Sequence, residues 1–289
     1  RQYPVECWDS SGSRQWAVKI KKPMNSSSLS NQIVLITRPI DQQQGLRDAI
    51  EQRSGSVLSF PLIDIAPLED NAEQELVKSR VQSLDNYQLL IFISTNAAKY
   101  GAQWIDKYWP QFPVGVQVMA IGPTTAILVE ELLASPSYLP DSGMSSEDLL
   151  SLEILQQVEG MKIGIFRGKG GRELLAETLK NRGALVDYLE VYQRQPINYD
   201  EGEFCDSLRQ TGVTSLTVSS GESLQLLSKL LLSGDNKRDF SLLPLLVPSN
   251  RVAQQANDLG FTNVILCKGA DSQSMIEALE SLETKKVNQ

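Results

Sequence analysis

Four stretches of this chain recur further along it at almost the same distance. "IFISTNAAKYGAQWI", from Ile91, is echoed by "TVSSGESLQLLSKLL", from Thr217, 126 residues later. "VMAIGPTTAILVEEL", from Val118, is echoed by "LLVPSNRVAQQANDLGF", from Leu245, at 127. "GMSSEDLL" at Gly143 matches "GADSQSMI" at Gly269 at 126, and "VLITRP" matches "IGIFRG" with Arg38 against Arg167 at 129. An apolar run, a polar turn and an amphipathic segment recur in each. The chain therefore carries two copies of one α/β unit, and a ligand held between them is the expectation for such a pair.

Strands are expected at Ile33–Thr37, Leu89–Ser94, Gln117–Ile121, Lys162–Phe166, Leu185–Tyr188, Ser215–Val218, Leu245–Val247 and Asn263–Leu266. Helical patterns follow most of them, as in Gly170–Gly183, where Gly183 suits a helix C-terminus. Strand–helix alternation predicts parallel sheets covered on both faces. "FPLIDIAP" at Phe60–Pro67 and "DYLEVYQRQP" at Asp187–Pro196 alternate and end in proline. They read either as paired connectors between lobes or as ordinary sheet strands.

Composition removes several chemistries. A net charge of −8 over 289 residues argues against a nucleic-acid partner. The absence of histidine eliminates Ser-His and Cys-His nucleophile pairs and histidine metal sites. Proton transfer then falls to a carboxylate, Tyr, Lys, Cys, backbone or water. Cys7, Cys205 and Cys267 are too far apart for a disulfide framework or metal spacing, which fits a cytoplasmic setting. No apolar run is long enough to predict a membrane span, the richest, Leu242–Val247, being broken by Pro244. Residues 1–32 are polar and aperiodic and read as a disordered or extraneous extension, with Met24 a natural initiator; the tail after Glu283 is also expected to lack structure.

The Gly122–Pro123–Thr124–Thr125 turn lacks the later glycines of G-x-G-x-x-G, and Pro123 removes a backbone N–H, so a dinucleotide is disfavoured. The helix N-terminus there can still hold an anion, or the threonines can simply start the helix. Ser94, Thr95 and Asn96 end one expected strand, and Ser219 and Ser220 end its counterpart, where α/β folds bind ligands; helix capping is the other reading of all five. Arg38, Arg167, Lys169, Arg172 and Arg251 lie at or beyond strand ends, and an arginine fork can hold a carboxylate.

Taken in order, "VLITRP", "FISTNAA", "AIGPTTA", "SSEDLL", "FRGKGGRELL", "VYQRQP" and Gly269–Leu279 resemble the uroporphyrinogen-III synthase family over roughly residues 33–282. The resemblance implies two flavodoxin-like (Rossmann-like) lobes with parallel sheets, joined by a two-stranded linker. It places lobe 1 at 33–60 with 197–285, lobe 2 at 69–187 and the linker strands at 61–68 and 188–196. The repeat spacing alone would suggest consecutive lobes near 33–155 and 163–280.

The implied activity is that of a cyclising hydro-lyase of porphyrin (haem, tetrapyrrole) biosynthesis. Hydroxymethylbilane, a linear tetrapyrrole with eight carboxylates, closes to uroporphyrinogen III with inversion of its last ring and loss of water. The terminal hydroxyl leaves to form an azafulvene, and a spiro intermediate follows. No cofactor and no metal are implied, and the chain is expected to be a monomer that takes its substrate from hydroxymethylbilane synthase.

By motif, the resemblance assigns Tyr192 as the acid, although a tyrosine in an extended segment otherwise reads as packing. Arg38, Ser94, Thr95, Thr124, Thr125, Arg167, Arg172, Ser219, Ser220, Ser249 and Asn250 become substrate-binding candidates. Ser249 and Asn250 are expected where the second copy's threonines would stand. A non-catalytic two-lobed small-molecule sensor of the same fold is the alternative.

Overall fold

The computed structural model describes residues 28–140, 143, 145–171, 173–232 and 240–287, with the backbone of two short paired strands at Cys7–Trp8 and Arg14–Gln15. The chain divides into two compact units, one of residues 1–64 and 196–289 and one of residues 65–195. Both crossings fall inside the expected connectors.

In the first unit the strands are β1 (Ile33–Ile36), β2 (Ser56–Ser59), β9 (Ser215–Thr217), β10 (Leu245–Val247) and β11 (Val264–Leu266). They form one sheet in the order β11-β10-β9-β1-β2, with every ladder parallel. Numbered within the unit this is 2-1-3-4-5, the flavodoxin-like order. Val34 pairs with Ser215, so the first strand belongs with the C-terminal quarter, and the consecutive division suggested by the repeat spacing does not hold. Helices α1 (Gln44–Gln52), α7 (Glu201–Thr211), α8 (Gly221–Leu231), α9 (Asn250–Leu259) and α10 (Ser272–Val287) accompany the sheet.

Alternation along β1 explains the layering. Leu35 points into a cluster with Phe60, Phe204, Leu227 and Val247, while Val34 and Ile36 enter one with Leu46, Ile50, Leu246 and Met275. Hydrophobic residues on consecutive positions are what a doubly covered parallel strand requires.

The second unit has β4 (Leu89–Phe92), β5 (Gln117–Ala120), β6 (Ser137–Tyr138), β7 (Lys162–Gly168) and β8 (Leu185–Pro196), with β3 (Ile63–Ala66) at one edge in the order β3-β8-β7-β4-β5-β6. Its helices are α2 (Asn71–Gln82), α3 (Thr95–Tyr108), α4 (Pro123–Leu133), α5 (Ser146–Ser151) and α6 (Leu174–Asn181). Replacing each strand by its repeat partner turns β8-β7-β4-β5-β6 into β2-β1-β9-β10-β11. The two sheets thus share one spatial order, reached from different starting points along the chain, which is why the sequence offsets are nearly constant. Leu90, Phe92 and Phe166 fill one face of this sheet, and Leu89, Ile91, Ile163 and Ile165 the other.

Several expectations need correction. The extension does not reach residue 32: Leu29 is fully buried in the first unit's core, and the Gln32 side-chain carbonyl accepts from Thr214 Oγ1 and Ser215 Oγ, each at 2.7 Å. A polar residue in an aperiodic stretch hid a buried hydrogen-bond acceptor. The tail after Glu283 continues α10 to Val287. Strand β8 runs unbroken for 12 residues through the expected strand and connector alike. The helix expected from Gly170 starts only at Leu174, although Gly183, with φ +87°, does follow its end. Strands β2 and β6 were not expected, because serine flanks or short length weaken the alternation signal in each.

Candidate functional site

In each unit the point where strand order reverses lies between the two repeat-equivalent central strands, β1 and β9 in the first and β7 and β4 in the second. The crevice beyond the carboxyl ends of such strands is the usual ligand position of an open α/β sheet. The described candidates lie at or just beyond the carboxyl ends of β1, β9 and β10 in the first unit and of β4, β5 and β7 in the second, with Tyr192 within β8.

In the first unit, Arg38 follows β1 and is half-buried. Its guanidinium donates to the Ala270 carbonyl, at the entrance to α10. Burial pulls the Arg38 guanidinium below its ordinary value, with Asp271 and Cys267 acting in the opposite sense. Buried Gln43, which the sequence reading missed, donates to the Arg38 carbonyl at 2.7 Å and accepts from Ser59 Oγ at 2.5 Å. Thr37 Oγ1 donates to Thr217 O at 2.8 Å, and Thr217 Oγ1 to Leu35 O at 2.7 Å, cross-bracing β1 to β9 immediately behind the site. Nothing in the local sequence distinguishes Gln43 from the neighbouring glutamines.

Ser219 and Ser220 follow β9 by two and three residues. Ser220 caps α8, accepting from Ser223 N at 3.1 Å, in a capping box with Ser223. Ser249 caps α9, accepting from Val252 N at 3.4 Å, and Asn250 is that helix's first residue. This overturns the expected equivalence with the threonines. Ser249 occupies the cap that Gly122 takes on α4, so Asn250 matches Pro123, and Arg251 and Val252 stand where Thr124 and Thr125 stand. Helix boundaries, which short motif matching does not resolve, decide that register.

In the second unit, Ser94 closes the apolar run of β4 and caps α3, its Oγ accepting from Ala97 N at 3.0 Å; Thr95 is the first helical residue. Gly122 caps α4 without a side-chain bond, and Pro123 opens the helix, where its missing N–H costs nothing. Thr124 is exposed, whereas Thr125 is buried, so the two are not equivalent at the mouth.

Arg167 is a correction. It is only 2% exposed and is turned into its own loop. It pairs with Glu173 at 3.3 Å and Glu190 at 3.9 Å, donates to the carbonyls of Gly168 and Gly170, and lies 4.3 Å from the centre of the Tyr188 ring. Gly170 and Gly171 have φ of +74° and +108°, and a Cβ on Gly171 would come within 2.7 Å of Arg167 Nη2. "FRGKGG" therefore encodes a loop wrapped around a guanidinium, and two carboxylates and two carbonyls already occupy the fork expected to take substrate. Lys169 pairs with Glu73 at 2.5 Å. Arg172 lies outside the described residues.

Tyr192 sits where the ladder of β8 with β7 shifts register, past Glu190. The ring is 7% exposed and stacks on Tyr100, centroids 5.6 Å apart. Tyr100 is anchored by its own hydroxyl, which donates to Ile65 O at 2.8 Å. Gly168 leaves space for the ring, since a Cβ there would lie 2.6 Å from Tyr192 Cε2 and Cζ. The Tyr192 hydroxyl stands 3.3 Å from Ser94 Oγ. Two candidates placed 98 residues apart are thus neighbours, while Gly168 and Tyr100, which shape their surroundings, were not anticipated. The second unit thus offers a phenol beside a helix N-terminus and its capping hydroxyl, and the first unit, by itself, offers a half-buried guanidinium and capping hydroxyls at strand ends.

Among the described residues, no helix is long and apolar enough to cross a membrane. Residues 44–277 match the family model described as uroporphyrinogen-III synthase HemD. The chain is similar to the uroporphyrinogen-III synthases of Salmonella typhimurium, at 33% identity over 86% of this chain and 99% of the relative, and of Escherichia coli, at 32% over the same shares. Among solved structures, a mutant uroporphyrinogen III synthase from Thermus thermophilus shares the fold with a TM-score of 0.55 at 16% identity, covering 88% of this chain and 99% of that one. The Helicobacter pylori uroporphyrinogen-III synthetase does so with 0.54 at 14% identity, covering 87% and 99%.

Proposed function

The chain belongs to the uroporphyrinogen-III synthase family, and from that membership we propose that it closes hydroxymethylbilane to uroporphyrinogen III with inversion of the last ring and loss of water. The observation that carries this reading is similarity to a named synthase across essentially that relative's whole length.

The residues support a simple division of labour. Tyr192 supplies the proton for the departing hydroxyl: the phenol O–H bond breaks, the C–O bond of the terminal carbinol breaks, and water leaves with the electron pair. The protonated azafulvene left behind is attacked by the already substituted α-carbon of the last ring, giving the spiro intermediate. The bond from that carbon to its original methylene then breaks, and the methylene bonds to the ring's free α-carbon. That carbon loses its proton to the phenolate, which restores the phenol and leaves the ring inverted. Arg38, with Ser219, Ser220, Ser249 and Asn250, holds carboxylates in the first unit. Thr95, Thr124 and Thr125 do so in the second. Because the uncatalysed bilane already closes, to the other isomer, the chief contribution of these groups is orientation. Cytoplasmic location, a monomeric state and hand-over from hydroxymethylbilane synthase form part of the same proposal.

The direct test is incubation with enzymatically generated bilane and separation of isomers III and I. Isomer III in excess is the expected result. Binding without turnover would instead identify a small-molecule sensor.

One substitution probes anion holding. Arg38→Ala is expected to raise KM about tenfold, the equivalent of roughly 1.4 kcal/mol from one lost carboxylate contact, with a smaller change in kcat. Lys180→Ala, on the exposed side of α6, should leave KM within error. Equal effects from the two would reduce the role of Arg38 to net charge.

A further inference from the structure

The 3.3 Å contact between Ser94 Oγ and Tyr192 Oη joins a helix cap to the phenol, and it has chemical consequences beyond capping. A serine hydroxyl has two acceptor lone pairs and one proton. One lone pair of Ser94 already accepts the Ala97 N–H at 3.0 Å, which orients the oxygen at the N-terminus of the 14-residue helix α3. Its remaining proton is then available to Tyr192. We propose that Ser94 is a positioning residue that donates to Tyr192 Oη, leaving the phenolic proton directed at the leaving hydroxyl, and that it acts through Tyr192 rather than on substrate carboxylates. This rests on the reading of Tyr192 as the acid.

The geometry favours the transition state over the ground state. At 3.3 Å the pair is longer than the about 2.8 Å usual between hydroxyls, so it contributes little while the phenol is neutral. As the phenol gives up its proton, charge develops on Oη. A hydrogen bond to an ionised acceptor shortens to about 2.5–2.7 Å and roughly doubles in strength. The N-terminus of α3, acting through the Ala97 N–H and the Ser94 hydroxyl, adds its positive end to the same charge. Only an interaction that strengthens along the reaction coordinate accelerates the step.

Two features hold the phenol to this contact. Tyr100 covers one face of the ring, and Gly168 admits the ring edge where any side chain would displace it. The phenol is therefore held by packing, and Ser94 supplies the remaining polar constraint.

The test is a kinetic double-mutant cycle with isomer separation. Ser94→Ala should lower kcat about tenfold, a general-acid contribution only partly lost, with KM within twofold. In the Tyr192→Phe background the same change should cost nothing further, because the group it acts through is gone. Ser94→Thr, which can accept and donate in the same way, should recover most of the lost kcat. Ser94→Asp caps a helix at least as well but cannot donate, so it should keep the melting temperature while lowering kcat at least as far as alanine does.

An equal slowing by Ser94→Ala in both backgrounds overturns the proposal, as does a rise in KM at unchanged kcat or a full-speed Ser94→Asp. A Tyr192→Phe variant as fast as the parent removes the acid itself and ends both readings. Melting temperatures of the ligand-free single and double variants provide a readout independent of turnover. Near-additive losses are expected there, because the contact contributes little while the phenol is neutral; equal slowing by Ser94→Ala in both backgrounds, with Tyr192→Phe still slow, would overturn this inference while leaving the acid assignment standing.

Discussion

Tyr192→Phe is expected to lower kcat by about 10²-fold, the low end for loss of a general acid, while KM changes little. The substitution removes one hydroxyl and keeps the ring, so the stack on Tyr100 and the contact with Gly168 survive. Among the described residues the hydroxyl lies 3.3 Å from Ser94 Oγ, a separation too long to contribute much in the ground state. The fold should therefore lose no more than about 1 kcal/mol. Product that does form should still be isomer III, since regiochemistry follows from how the rings are held. A mixture rich in isomer I at unchanged melting temperature would assign Tyr192 to substrate positioning. Turnover equal to the parent would leave it a packing residue.

The largest effect on stability is expected at Phe166. Its ring is fully buried on β7 and stacks on Phe92, with centroids 4.5 Å apart and planes 7° from parallel. The neighbouring Gly101, in the middle of α3, is the complement of this pair: a Cβ there would lie 2.7 Å from Phe166 Cδ1 and 2.9 Å from Phe92 Cε1. Helix and sheet approach closely because one position on the helix has no side chain.

Phe166→Ala leaves a cavity between them and should cost about 3–5 kcal/mol. That corresponds to a fall in melting temperature on the order of 10 °C for a chain of this size. Ile127→Ala, at a side chain 58% exposed on α4, should fall within about 0.5 kcal/mol of the parent. Gly101→Ala alone should also destabilise, by overpacking. Combined with Phe166→Ala it should cost less than the two losses added, because the methyl enters the space the ring vacated. Simple additivity would mean that the helix moves away to relieve the clash and that the stack does not set its position.

Periodicity along the chain was enough to determine the two-copy α/β plan. Leu35 and its neighbours Val34 and Ile36 form an unbroken apolar run, as a parallel strand covered on both faces requires, and the strand–helix alternation around it points to that reading. Capping was legible for the same reason. Ser94 and Ser220 each stand where an apolar run gives way to a helical pattern, and a hydroxyl there satisfies an N–H that has no partner within the helix. These features depend on residues close in sequence, so local chemistry suffices to specify them.

What depends on distant residues was decided only in three dimensions. The sequence contained Arg167 beside three glycines, but whether its fork faced solvent or its own loop depended on Glu173 and Glu190 reaching it from α6's approach and from β8. Gln32 looked like the end of a polar extension until Thr214 and Ser215, more than 180 residues later, supplied its donors. The pairing of Tyr192 with Ser94 arises because β8 shifts register beyond Glu190, turning the ring toward the end of β4 across the intervening strand β7. A strand's pattern states which faces are apolar. Which partner each polar group meets is settled by register and by the burial of everything around it, and those are properties of the packed chain alone.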